Sequence, residues 1–142
     1  MTELTAPTTT QTTPSTMPGV IPYLMVRGAV QAVEFYKRAF GAEEINRMPT
    51  EDGAKLIHCY LRINGGDLMM SDEFPEHGHS MGERAMGVTL LLVVDDADAW
   101  WNRAVEAGAE IRMPLADQFW GDRYGELRDP FGHSWAINCP RK

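Results

Sequence analysis

The sequence predicts an α+β protein made of two successive βαβββ modules. Three observations carry this. The same order of strand-like and helix-like patterns occurs twice, two amphipathic helix stripes repeat at an offset of 65 residues (Ala32 to Ala97), and 142 residues suit one compact domain rather than two.

Residues 1 to 19 are dominated by Thr and Pro with almost nothing apolar to bury, so they read as a flexible tail. A single folded domain is expected over residues 20 to 138, with a first module at 20–72, a linker at 73–86, a second module at 87–138 and a C-terminal tail at 139–142. It opens on the apolar run Val20 to Val26, which stops at Arg27-Gly28. Ala32, Phe35, Tyr36, Ala39 and Phe40 then fall on one helical stripe, and Gly41 supplies the stop. Strands follow at Glu43 to Met48 and Lys55 to Ile63. In the second, Ile57, Cys59, Leu61 and Ile63 alternate with a mixed face, and the alternation places those four under the helix. Asn64-Gly65 is a type I′ hairpin signal, so Gly66 to Ser71 should run back antiparallel.

The order then repeats. Val88 to Val94 is a strand, Asp95 or Asp96 caps a helix, and Ala97, Trp100, Trp101, Ala104 and Val105 form its stripe. Strands are expected at Glu110 to Met113, Arg123 to Arg128 and Ser134 to Asn138. A loop from Leu115 to Gly121 and the type I turn of Asp129-Pro130-Phe131-Gly132 separate them. Each helix covers one face of its sheet, so the other face needs the second module, a partner chain or a ligand.

Composition narrows the function. Thirteen Lys and Arg against twenty Asp and Glu give a net charge of −7, which argues against nucleic acid as a partner. Two cysteines, Cys59 and Cys139, make no disulfide framework, and no cationic segment with a following apolar run opens the sequence, so a cytoplasmic setting is expected. No apolar run approaches the ~20 residues that span a bilayer, so no membrane partner is expected.

Several phrases in this order resemble the vicinal oxygen chelate superfamily, the glyoxalase, bleomycin-resistance and extradiol-dioxygenase fold. They are Pro22-Tyr23-Leu24, Phe35-Tyr36-Lys37-Arg38-Ala39-Phe40-Gly41-Ala42, and Gly121-Asp122-Arg123-Tyr124-Gly125 leading into Asp129-Pro130-Phe131-Gly132-His133. The combination is most similar to the PhnB-like branch and covers residues 20 to 138. The resemblance implies a cup-shaped incomplete barrel and a homodimer. It also implies that a metal-dependent member would carry its ligands near Ile21, Met69, Thr89 and Ala136. A divalent ion needs oxygen or nitrogen donors at roughly 2.0–2.2 Å, and these four side chains do not supply such a set. No metal or other cofactor is therefore expected, with a divalent ion as the alternative.

Strand parity names a ligand-facing wall of Tyr23, Met25, His58, Tyr60, Met69, Ser71, Thr89, Leu91, Tyr124 and Glu126, with Trp120 at the rim as a lid or as a dimer contact. Such an aromatic, sulfur-rich wall suits an organic molecule. His58 and Glu126 form the one candidate acid–base pair, because a carboxylate beside an imidazole fixes its tautomer for proton transfer; a hydrogen bond within a half-polar sheet face is the simpler alternative. His77 and His79, with Asp72, Glu73, Glu76 and Glu83, offer metal-type donors, although a solvated loop is the simpler reading. Arg27, Arg47, Arg62, Arg112 and Arg123 are candidate anion clamps. The leading expectation is a protein that binds a small organic molecule, sequestering it or acting on it. Its alternative is a metal-dependent lyase, isomerase or dioxygenase with shifted ligands, and a third reading is a cup filled by its own side chains.

Overall fold

A computed structural model describes residues 19–83 and 85–141; the segment read as a flexible tail lies, up to residue 18, outside the described residues. In chain order the elements are β1 (Tyr23–Val26), α1 (Ala29–Phe40), β2 (Glu43–Pro49), β3 (Leu56–Ile63) and β4 (Gly66–Asp72), then β5 (Thr89–Val93), α2 (Ala97–Ala107), β6 (Glu110–Asp117), β7 (Asp122–Arg128) and β8 (Ser134–Pro140). They form two four-stranded mixed sheets, ordered β1-β4-β3-β2 and β5-β8-β7-β6, each with one parallel pair and two antiparallel ones. This is the open glyoxalase/bleomycin resistance fold, an α+β architecture of two βαβββ modules.

Local chemistry explains the well-placed elements. All five stripe residues of α1 are buried, and Gly41, with φ of 65°, ends the helix as its N–H donates to Lys37 O and that of Ala42 to Tyr36 O. Asn64 and Gly65 both adopt positive φ, 51° and 78°, as a type I′ turn requires, and this sets the β3–β4 register. Asp96 caps α2 by accepting from Ala99 N at 3.0 Å. On the α2 stripe Ala97, Trp101 and Ala104 are buried, whereas Trp100 and Val105 are only partly so.

Two strand ends and one strand face depart most from the sequence reading. Strand β6 runs through Pro114 and Leu115 to Asp117, consuming part of the expected loop, because register shifts on either side of Met113 accommodate the proline against β7. Strand β8 continues to Pro140, into the stretch read as a tail, by pairing with Asp122 and Arg123. In β3 a register shift between Met48 and Pro49 makes Ile57 an extra residue, so Leu56 takes the core position and Ile57 turns out, 48% exposed. Ile57 therefore does not pack under the helix as strict alternation requires.

The modules share one core. α1 lies against α2, and Arg103 of α2 donates to the last carbonyls of α1, Arg38 O at 2.7 Å and Lys37 O at 3.2 Å. Phe40 of α1 packs on Trp135 of β8 with ring centroids 4.4 Å apart. Asp129 is the polar joint between the modules. It is buried, accepts from Tyr36 OH at 2.6 Å and Trp135 Nε1 at 2.9 Å, and also takes the N–H groups of Phe131 and His133. His133 Nε2 then reaches across to donate to the Met25 carbonyl at 2.9 Å. The helices thus cover one face of each sheet and leave the other free.

Candidate functional site

On the first sheet the free face is set by the pairings of Tyr23 with Met69 and Met25 with Ser71, and continues on β3 through His58 and Tyr60. Their sequence neighbours Leu24, Val26, Met70, Cys59 and Leu61 are buried on the helix side. Burial pushes the Cys59 thiol up to about 11, which makes it a poor nucleophile.

Polar groups on this face are joined in two clusters. The Tyr23 hydroxyl and His58 Nδ1 share a hydrogen bond of 2.9 Å, and their rings sit 5.7 Å apart. Burial raises the Tyr23 hydroxyl above its ordinary value, against the smaller lowering effect of Ser71. Farther along the face, Tyr60 OH donates to Asp67 at 2.6 Å, and Arg62 reaches both Tyr60 OH and Asp67.

Beside the first cluster lies a cavity of about 510 Å³. Tyr23, Met25 and Ile57 form its floor, with the hydroxyls of Thr50 and Ser71. Phe74, His77 and His79 close it from the linker. The sequence reading missed Ile57, Thr50 and Phe74 here. Ile57 has no signal in the sequence, since a bulge is invisible to alternation, and the residue types of His77 and His79 point only to metal-type donors. The linker is exposed from Pro75 to Ser80, as a solvated loop is, and within it the chain makes a turn over Pro75–His77 and bridges Phe74 to His79. Glu73 holds it by accepting from Ser80 Oγ and Met81 N and pairing with Arg27, which also donates to Gly82 O. Asp72 is a cap, not a ligand. One of its oxygens accepts from Gly28 N and Ala29 N at the start of α1, and the other from Leu56 N.

On the second sheet the free face carries Thr89 and Leu91 of β5, Ala136 of β8, and Tyr124 and Glu126 of β7. Tyr124 OH donates to Glu126 Oε2 at 2.8 Å; burial, then the Glu126 contact, pushes this phenol up to about 12. Trp120 stands edge-on to Tyr124 at 5.7 Å and Phe119 edge-on to Trp120 at 5.1 Å, both well exposed. His58 and Glu126 lie on different sheets, and the polar partner of each is a tyrosine of its own sheet rather than the other. Side-by-side acid–base geometry is therefore not formed within one chain.

The structure assigns the arginines elsewhere. Arg27 pairs with Glu73, Arg47 with Glu44, Arg62 with Asp67, Arg112 with Glu110 and Arg123 with Asp98 and Asp117, so each already has a carboxylate partner within the chain. The side chains at the four positions where the resemblance would place metal ligands do not fit an ion. Met69 and Ala136 lie on the free faces beside Tyr23 and Leu91, and a thioether and a methyl there, with Ile21 and Thr89, make no donor set for a dehydrated divalent cation. Among the described residues no three His, Cys, Asp or Glu side chains form a metal-ligating group.

Residues 19–137 match the Glyoxalase/Bleomycin resistance protein/Dioxygenase superfamily, and the chain belongs to that family. An uncharacterised protein of Mycobacterium tuberculosis is 47% identical over 128 residues, spanning 87% of this chain and 75% of the relative. Among solved structures, protein PA1353 from Pseudomonas aeruginosa is 27% identical with a TM-score of 0.73, covering 89% of this chain and 100% of that one. A PhnB protein from Bacillus cereus, 19% identical, shares the fold with a TM-score of 0.65 over 86% of this chain and 99% of its own. No helix among the described residues is long and apolar enough to cross a membrane.

Proposed function

We propose that this chain is a PhnB-like member of the family, cytoplasmic and homodimeric, that binds a small, partly aromatic organic molecule on its free sheet faces without a glyoxalase-type metal. The observation that carries the reading is the cavity of about 510 Å³ over the first sheet, walled by Tyr23, Met25, Ile57 and Phe74. Its size falls within the ~300–1,000 Å³ of small-molecule sites, and its walls are apolar with a few convergent polar groups. Tyr23, His58, Tyr60, Met69 and Ser71 serve the first sheet. Thr89, Leu91, Trp120, Tyr124 and Glu126 serve the second.

Support for a second copy comes from the second free face. Leu91 and Val93 are 55% and 52% exposed there, and Phe119 and Trp120 are 96% and 49% exposed, apolar surface of the kind a second copy would cover. A copy that sets its second sheet over this first sheet would bring one His58 and one Glu126 to the same space, where the pair can move a proton.

Two measurements test the reading. Tag-free protein is analysed for metal and titrated with the neutral fluorophore N-phenyl-naphthylamine, with mass measured by light scattering. Saturable dye binding to a dimer carrying no stoichiometric metal is expected. One equivalent of tightly held divalent ion, lost in a His58→Ala, Glu126→Ala variant, would replace the reading with a metal-dependent lyase, isomerase or dioxygenase whose ligands have shifted. Absence of dye binding would leave an assembly protein with a filled cup.

A further inference from the structure

The cavity over the first sheet has a chemical polarity that its apolar walls do not reveal. The chain carries twenty Asp and Glu and a net charge of −7, yet among the described residues no carboxylate lines this cavity. Glu76 and Asp52 are close in sequence to lining residues without lining it themselves. Among the described residues its lining includes five with polar side chains: Tyr23, Thr50, Ser71, His77 and His79.

Hydrogen bonds already made inside the protein decide what those groups have left to offer. Ser71 Oγ donates to Asp72 O at 3.0 Å and Thr50 Oγ1 donates to Asp52 Oδ1 at 2.7 Å, so both hydroxyls present only lone pairs. Tyr23 is engaged with His58. An imidazole carries an N–H donor in either tautomer, so among the described lining residues the donors that remain are at the linker end, on His77 and His79. That end is also built firmly. Phe74 N donates to His79 O at 2.7 Å, and the Lys55 ammonium lies 4.9 Å from the Phe74 ring centre while donating to Glu73 O at 3.1 Å, adding a positive charge behind the wall.

We infer that this chamber selects an aromatic-bodied anion, its ring system against Tyr23, Met25, Ile57 and Phe74 and its acid group held by His77 and His79. The inference rests on the small-molecule reading above and adds a ligand class to it. Acid groups accept hydrogen bonds on several lone pairs, and charge-assisted bonds are the stronger kind. A neutral ligand of the same shape keeps only the apolar contact.

Two dyes of like shape separate the possibilities: anilinonaphthalene sulfonate, which bears an acid group, and N-phenyl-naphthylamine, which does not. Full-length protein is titrated with each, alongside a His77→Ala, His79→Ala variant and a His77→Glu, His79→Glu variant; both histidines are exposed, so the fold tolerates the changes. Native protein should bind the sulfonate more tightly. The alanine variant should cut the sulfonate's advantage over the neutral dye roughly tenfold, equivalent to about 1.4 kcal/mol. The glutamate variant should reverse the preference. Equal binding of the two dyes by native protein, or a preference unchanged in both variants, overturns the inference and leaves the small-molecule reading standing. If neither dye binds, that reading falls and takes the inference with it.

Discussion

Replacing Asp129 with alanine should be among the most damaging single changes in this chain, because one carboxylate serves four donors from both modules. Tyr36 and Trp135 are 0% and 2% exposed, so Asp129→Ala leaves the phenol O–H and the indole N–H buried without partners. Each orphaned buried donor costs ~1–3 kcal/mol, and the two turn amides add ~0.5 kcal/mol apiece as the turn relaxes, giving about 5 kcal/mol in all. A domain of this size has roughly 5–15 kcal/mol to lose. Asp129→Asn keeps an oxygen for the amides of Phe131 and His133, but its nitrogen cannot accept from Trp135, so about 3 kcal/mol is expected. Tyr36→Phe removes one donor and leaves three, for about 1–2 kcal/mol. Urea unfolding at fixed protein concentration measures all three; with a slope of ~2 kcal/mol per molar, the alanine variant should lose ~2.5 M of midpoint. A loss under ~1 kcal/mol in Asp129→Ala, or Tyr36→Phe proving the worse of the two, would refute the assignment of Asp129 as the joint between modules.

Three other outcomes are expected. All four tyrosines sit above their ordinary value, chiefly through burial, with Tyr124 at about 12 and Tyr36 well above the normal range. Absorbance of phenolate should therefore not rise with a midpoint near ~10, and the stability these groups supply should be whole below that pH and vanish as pH climbs through the folded values; one tyrosine titrating normally contradicts this. The Arg47 hydrogen bond, with Lys37 assisting, lowers Glu44 from 4.5 to about 2. Its contribution is present above the unfolded value and lost as pH falls through the folded one, so Glu44→Gln should flatten the acid limb of the stability curve between those two points. A Cβ on Gly125 would lie 2.6 Å from the Trp101 ring and 2.8 Å from Leu115 Cα, so Gly125→Ala should destabilise by about 1–3 kcal/mol and shift tryptophan fluorescence. An unperturbed spectrum and midpoint would show that Trp101 does not rest on β7.

What the sequence determined by itself was everything set by near neighbours. The α1 stripe, the Gly41 stop, the Asn64-Gly65 turn and the Asp96 cap depend on residues within a turn or two of each other, and each lies where its spacing placed it. The faces of β1, β4, β5 and β7 were equally legible, because alternation is a property of the backbone. Alternation failed at Ile57, where one extra residue in the β3 pairing reverses the face and only the partner strand reveals it. Distance in the sequence hid the rest. Asp72 reaches back 44 residues to cap α1, Tyr36 finds Asp129 across 93 residues, and the linker brings Phe74, His77 and His79 onto a sheet to which nothing in their own spacing assigns them. Tertiary structure alone decided those pairings, since a buried polar group takes whichever partner the packed chain presents, while a helix or hairpin draws on partners already beside it.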